Sequence, residues 1–159
     1  MHNKLLILFT LLLFIACSKE NSENLTEVEL YVDERIQPYF DLFEQEGLAR
    51  DVEVSLEGAR VEGYIEAIEE NNVLGQCQYS ATSPRRVIID EQFWAQATDL
   101  QKEFVIFHEL GHCYLNRSHD DTRSNNGTCS SMMQSGTTRC RFSYTNNSRD
   151  AYLDELFSN

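Results

Sequence analysis

The stretch from Phe104 to His119 limits the possible folds more than any other part of the chain. Phe104, Val105, Ile106, Phe107, Leu110 and Leu115 make it strongly apolar, and a helix with that content must lie in a core. Inside the run sits His-Glu-x-x-His, at His108, Glu109 and His112, and His119 follows just past the expected helix end. On a helix, His108 and His112 stand one turn apart on one face and can share a metal ion. Glu109 points to a neighbouring direction, where a carboxylate reaches a metal-bound water without displacing it. Two imidazoles plus a third ligand leave the fourth tetrahedral position open, which is the arrangement of a catalytic zinc site. His119 is the first choice for that third ligand; Asp120 and Asp121 compete with it. One zinc ion per chain is expected.

The helix has a defined start and stop. Thr98 to Gln101 fits a capping box, and Asp99 and Glu103 complement the positive helix end. The metal helix is therefore predicted from about Asp99 to Leu115, with Asn116 as a left-handed stop that turns the chain and returns His119.

With 159 residues the chain has room for one domain. Lys4 and the apolar run from Leu5 to Ile15 read as a secretory signal peptide, too short to span a bilayer comfortably. Phe14-Ile15-Ala16-Cys17 resembles a bacterial lipobox, with Phe14 where leucine is usual. It implies cleavage after Ala16 and lipid on Cys17, hence a lipid-anchored protein of the bacterial cell envelope, on the periplasmic or surface side. The expected organisation is signal peptide 1–16, flexible tether 17–26 and folded domain 27–159.

The formal net charge of −13 becomes one unit more negative when Lys4 is removed. So acidic a chain is repelled by nucleic acid and by anionic membrane surfaces, and no basic stripe offsets it. Membrane contact is expected only through the lipid. No signal for an oligomer stands out, so a monomer is expected.

Of the five cysteines, setting Cys17 aside leaves Cys77, Cys113, Cys129 and Cys140. An even set in an exported chain suggests two disulfides, and no Cys-x-x-Cys spacing supports a cysteine zinc site. Three connectivities are open; Cys77–Cys113 with Cys129–Cys140 is preferred, because the second pair would staple the loop carrying the methionines.

From Glu27 to Gly47 apolar residues recur at three- and four-residue steps, which predicts a helix with Pro38 as a kink or break and Gly47 as its stop. Asp51 to Leu56 alternates at period two and predicts a strand. Val61 to Ile68 is ambiguous but leans to strand, with Glu70-Asn71-Asn72 as a hairpin turn into a strand from Val73 to Tyr79. Val87 to Ile89 suits the centre of a sheet. Asp90 caps a short turn of helix, and Arg149 to Phe157 predicts a final one after a loop-rich stretch. The fold class is α+β: an N-terminal helix, a small mixed sheet, the His-Glu-x-x-His helix and a short closing helix.

Over roughly residues 85–135 these motifs resemble the metzincin clan of zinc peptidases, whose pattern is His-Glu-x-x-His-x-x-Gly-x-x-His. Here Leu115 stands at the glycine position and Ser118 at the third histidine, so His119 comes one residue late. Ser131-Met132-Met133 resembles the metzincin Met-turn, with Met133 aligned to the methionine that packs beneath the ligands. The resemblance implies a zincin-like fold and a zinc metalloendopeptidase. Its reaction would be peptide hydrolysis by a zinc-activated water, with Glu109 as general base and a peptide or protein as substrate. It further implies strand addition of substrate at an edge strand, with Val73 to Tyr79 as candidate and Cys77 pinning it to the metal helix. Tyr144 corresponds to a tyrosine that assists in some metzincins, although a core or surface role suits it better. The alternatives are a non-catalytic envelope lipoprotein acting as a binding module, and an inhibitor-like interaction module working through its acidic surface.

Overall fold

The computed structural model describes residues 30–125, 127–136 and 140–158. The signal peptide, the tether and Cys17 lie outside the described residues. The elements given by the described residues are, in order, α1 (Gln37–Leu48), β1 (Val61–Glu66), β2 (Gly75–Ser80), β3 (Ser83–Asp90), α2 (Glu91–Gln96), α3 (Asp99–Cys113) and α4 (Arg149–Leu156), the three strands forming a mixed sheet. A 3-10 turn at Arg141–Ser143 precedes α4. This is an α+β fold. Among the described residues, no helix is long and apolar enough to cross a membrane.

The sheet order is β1-β3-β2, with β1 parallel and β2 antiparallel to β3. Val87, Ile88 and Ile89 of β3 are buried, as a central strand requires. The outer side of β1 is covered by a bridge from Val32 to Gly63. Gly63 permits this approach, because a Cβ there would come within 3.0–3.2 Å of Phe40, Ile36 and Val32. The outer side of β2 has no strand partner among the described residues.

Helix α3 lies against β2 and β3, and every residue from Glu103 to Gly111 is buried. Thr98 and Gln101 form the reciprocal capping box at its start. On another side it meets α1 and α4: the ring of Phe43 packs 5.0 Å from Phe107 and 4.9 Å from Phe157. One ion cluster ties the same three helices, since Arg149 binds Glu46 of α1 at 2.7 Å and Glu103 of α3 at 2.6 Å.

Three expectations need correction. Helix α1 begins at Gln37, ten residues later than its apolar spacing suggests, and Pro38 sits in its first turn, where a missing N–H costs nothing. The alternating Asp51 to Leu56 segment joins no ladder. Its first N–H groups turn back onto the end of α1, Asp51 to the Leu48 carbonyl at 3.1 Å and Val52 to the Gly47 carbonyl at 2.9 Å, and its last two are taken by side chains, Leu56 by Glu44 at 2.7 Å and Ser55 by the Tyr114 hydroxyl at 3.0 Å. Finally, β1 and β2 are not a hairpin, because β3 lies between them; the tight connection is between β2 and β3.

Candidate metal centre

His108 and His112 project from α3 with their Nε2 atoms 3.2 Å apart, and Nε2 of His119 lies 3.2 Å from that of His112. The ligand nitrogens of all three fall within 4.8 Å of one another. His108 is buried, His112 half-buried and His119 exposed, so the cluster opens to solvent on the His119 side.

The other ring nitrogens decide its chemistry. Nδ1 of His108 lies 2.8 Å from the Met132 carbonyl, and Nδ1 of His112 lies 2.7 Å from the Arg117 carbonyl. A carbonyl only accepts, so each Nδ1 carries the proton and each Nε2 presents a bare lone pair. Burial keeps both rings neutral, pushing His108 down to about 4 and His112 below its ordinary value. Lone pairs so close cannot hydrogen-bond to each other, and a cation among them removes the repulsion. Zinc–nitrogen bonds of about 2.0–2.1 Å at tetrahedral angles set nitrogens about 3.3 Å apart, so the donor set fits a zinc-sized ion.

The loop after α3 delivers the third histidine. Asn116 adopts φ 55°, and the Arg117 N–H closes on the Gly111 carbonyl at 2.9 Å. That turn aims the Arg117 carbonyl at His112 and leads the chain back to His119. Asp120 and Asp121 are engaged elsewhere. Asp120 accepts from the Thr122 N–H at 2.9 Å, and Asp121 accepts from the N–H and hydroxyl of Ser135 at 2.9 and 2.8 Å. Neither is in the histidine cluster.

Met133 is fully buried against α3. A Cβ at Gly111 would stand 2.4 Å from its Sδ, so the thioether occupies the gap left by the bare backbone between the two helix histidines. Glu109 is buried between α3 and β2, accepts the Cys77 N–H, and is pushed up to about 8 by burial. Gly75 makes room for it: a Cβ there would lie 2.8 Å from Cγ and 3.0 Å from Oε1 of Glu109. Disulfides join Cys77 to Cys113 and Cys129 to Cys140, the preferred pairing. The first fastens β2 to α3 one residue past His112. Tyr144 is not at the centre; it is buried against Phe104 and donates to Glu103.

Residues 55–135, about half of the chain, match the profile of a family described as "Putative phage metallopeptidase". The chain belongs to that family. The three histidines of the metallopeptidase all lie within the matched region. No curated protein matches the chain. Among solved structures it is similar to a chain of the GM1-bound form of the ECX AB5 holotoxin, at 15% identity and a TM-score of 0.44, covering 76% of this chain and 70% of that one.

Three contributors are not legible in the sequence: the carbonyls of Met132 and Arg117 and the close approach at Gly75; Met133, expected to pack beneath the ligands, packs on Gly111. Backbone carbonyls carry no sequence signal. The two glycines were signals of a kind, each a missing side chain beside a functional residue.

Proposed function

We propose that this metallopeptidase is a zinc endopeptidase with a metzincin-like centre: His108, His112 and His119 hold the ion, and Glu109 is the general base. The convergence of three imidazole nitrogens beside a buried carboxylate carries this reading. An all-imidazole donor set suits zinc, and the thiols that could compete are tied in disulfides. When bound, zinc supplies Lewis acidity to a water and to the scissile carbonyl. Glu109 takes the proton of the attacking water and hands it to the leaving amine. The outer edge of β2, where Glu109 already holds the Cys77 N–H and no strand is paired among the described residues, takes the substrate backbone by strand addition. Met133 serves as the soft base under the ligands. Lipid on Cys17 anchors the enzyme in the cell envelope, which the intact mass of detergent-extracted protein would report.

The test is zinc content and peptide cleavage in wild type, His119→Ala and Glu109→Gln. About one zinc per chain is expected in the wild type, with clear loss in His119→Ala. Glu109→Gln should keep the metal and lower kcat/KM by about two orders of magnitude or more. Zinc without cleavage of any peptide in a broad library would leave a binding lipoprotein. No zinc in a folded sample never exposed to chelator would sink the reading.

A further inference from the structure

Among the described residues, each half-buried arginine but one has a partner for its guanidinium. Arg50 binds Glu46, Arg85 the Cys113 carbonyl, Arg86 binds Glu66, Arg117 binds Glu155 and Arg149 binds Glu46 and Glu103. Arg141 is the exception. Its Nε and Nη1 are buried without a hydrogen-bond partner, and its guanidinium lies against two rings, 5.1 Å from the centre of Phe93 and 5.0 Å from that of Phe142. In so acidic a chain a half-buried cation without a carboxylate needs an explanation. Unmet donors of this kind cost free energy that a bound acceptor recovers.

Arg141 lines a cavity of about 590 Å³ that also touches Val73, Leu74, Phe93, Gln101 and Phe142. Phe142 is 64% exposed, a large apolar surface left open at that place. The cavity has a fixed relation to the metal centre. Gln101, Val105 and Glu109 follow one another at four-residue steps along one face of α3. Val105 and Glu109 are the two side chains that a Cβ at Gly75 would strike. The cavity therefore lies beyond the N-terminal end of β2, about 12 Å along the helix from Glu109. A peptide adding to the outer edge of β2, which has no strand partner among the described residues, in the commoner antiparallel sense runs from the Ser80 end toward Gly75. It carries the residues after its scissile bond into this cavity, about two to four positions on at about 3.4 Å each.

We infer that this cavity is a subsite for the leaving half of a peptide substrate, and that Arg141 is its specificity-determining residue, selecting a carboxylate there. The carboxylate is an Asp or Glu side chain, or the free C-terminus of a short substrate. Arginine N–H donors make charge-assisted bonds to carboxylates, and the flanking rings hold the guanidinium in place for them. Glu69, Glu70 and Asp90 also border the cavity, and none forms an ion pair with Arg141 among the described residues: both glutamates sit on an exposed loop, where Glu70 accepts from Gln76 at 3.2 Å, and the Asp90 carboxylate accepts the N–H groups of Phe93 at 2.7 Å and Ile68 at 3.2 Å. This inference rests on the peptidase reading, and the experiment separates the two.

A proteome-derived peptide library is digested with zinc-loaded wild type, Arg141→Gln and Arg141→Glu. Wild type should enrich Asp, Glu or a free C-terminus two to four positions after the cut. Arg141→Gln should lose that enrichment, with kcat/KM for an acidic peptide falling about tenfold or more while its neutral counterpart is unchanged. Arg141→Glu should favour Lys and Arg there. Active variants with the wild-type profile would overturn the inference. A second readout needs no turnover: the Arg141 Nε–H resonance, followed while adding Ac-Ala-Ala-Ala-Asp-Ala-NH2, its Asn counterpart, or Ac-Ala-Ala-Ala-Ala with a free C-terminus. A shift with the first, the last or both, but not with the Asn peptide, supports the carboxylate site and tells its source. Equal shifts, or none, overturn it. Carboxylate-selective shifts with no cleavage at all would remove the peptidase reading and leave the site standing.

Discussion

The Met132 carbonyl oxygen lies 2.8 Å from Nδ1 of His108, so the loop that carries the methionines also fixes the tautomer of a histidine in the candidate metal cluster. A histidine ligand commonly gives its second ring N–H to such an acceptor, which orients the ring and raises its basicity. Here the acceptor is backbone, and its position depends on how Met133 seats against Gly111.

Gly111→Ala tests that seat. The new methyl would stand 2.4 Å from Sδ and 3.0 Å from Cε of Met133 and 3.3 Å from Leu156. Overpacking of this kind costs about 1–3 kcal/mol. Denaturant unfolding should show that loss, and zinc affinity should fall with it because the Met132 carbonyl moves. Unchanged stability and affinity would mean that the methionine does not position the ligands.

Gly75→Ala should affect turnover more than folding. Its methyl would press on Cγ and Oε1 of Glu109 and on Val105, displacing the carboxylate. A misplaced base costs about 100-fold in rate. The expected result is a fall in kcat with zinc content intact; wild-type kcat would exclude Glu109 as the base in this position.

The metal-free protein should show a particular pH dependence. The folded pKa of Glu109, about 8, lies above its ordinary 4.5. Its contribution to stability is therefore full below about 4.5 and is lost as pH rises through 8. Glu109→Gln mimics the protonated acid and escapes this loss. The two proteins should unfold alike near pH 4.5, and the variant should be more stable at pH 9 by up to about 5 kcal/mol. His108, with its pKa pushed down to about 4, works in the opposite sense. It takes stability away from both proteins as pH falls from about 6.5, so it cancels in the comparison. Parallel melting curves at pH 9 would show that the carboxylate is not buried.

Removing the two disulfides should have unequal costs. Cys77 and Cys113 are 36 residues apart, Cys129 and Cys140 only 11. Loop-closure entropy then assigns about 4 kcal/mol to the first bridge and about 3 to the second. Paired serine substitutions measured by denaturant unfolding should follow that order. Only the first pair should also weaken peptide binding at β2.

Much of the centre was legible because its signals are local. The apolar run from Phe104, the capping box of Thr98 and Gln101, the four-residue step from His108 to His112 and the left-handed stop at Asn116 all depend on neighbours within one or two helical turns. Period and cap chemistry determine them without reference to the rest of the chain. Local signals also misled. Tyr31, Val32 and Ile36 keep helical spacing but lie outside the helix, and Asp51 to Leu56 alternates like a strand with no strand beside it among the described residues. A pattern states which side of a segment is to be buried; only packing supplies the partner. The placement of β3 between β1 and β2, the choice of His119 over its neighbouring aspartates, the carbonyls behind His108 and His112, and the unpaired Arg141 beside the start of β2 were decided by tertiary structure. Each depends on backbone or side-chain groups far apart in sequence, and pairwise distances of that kind exist only once the chain has closed on itself.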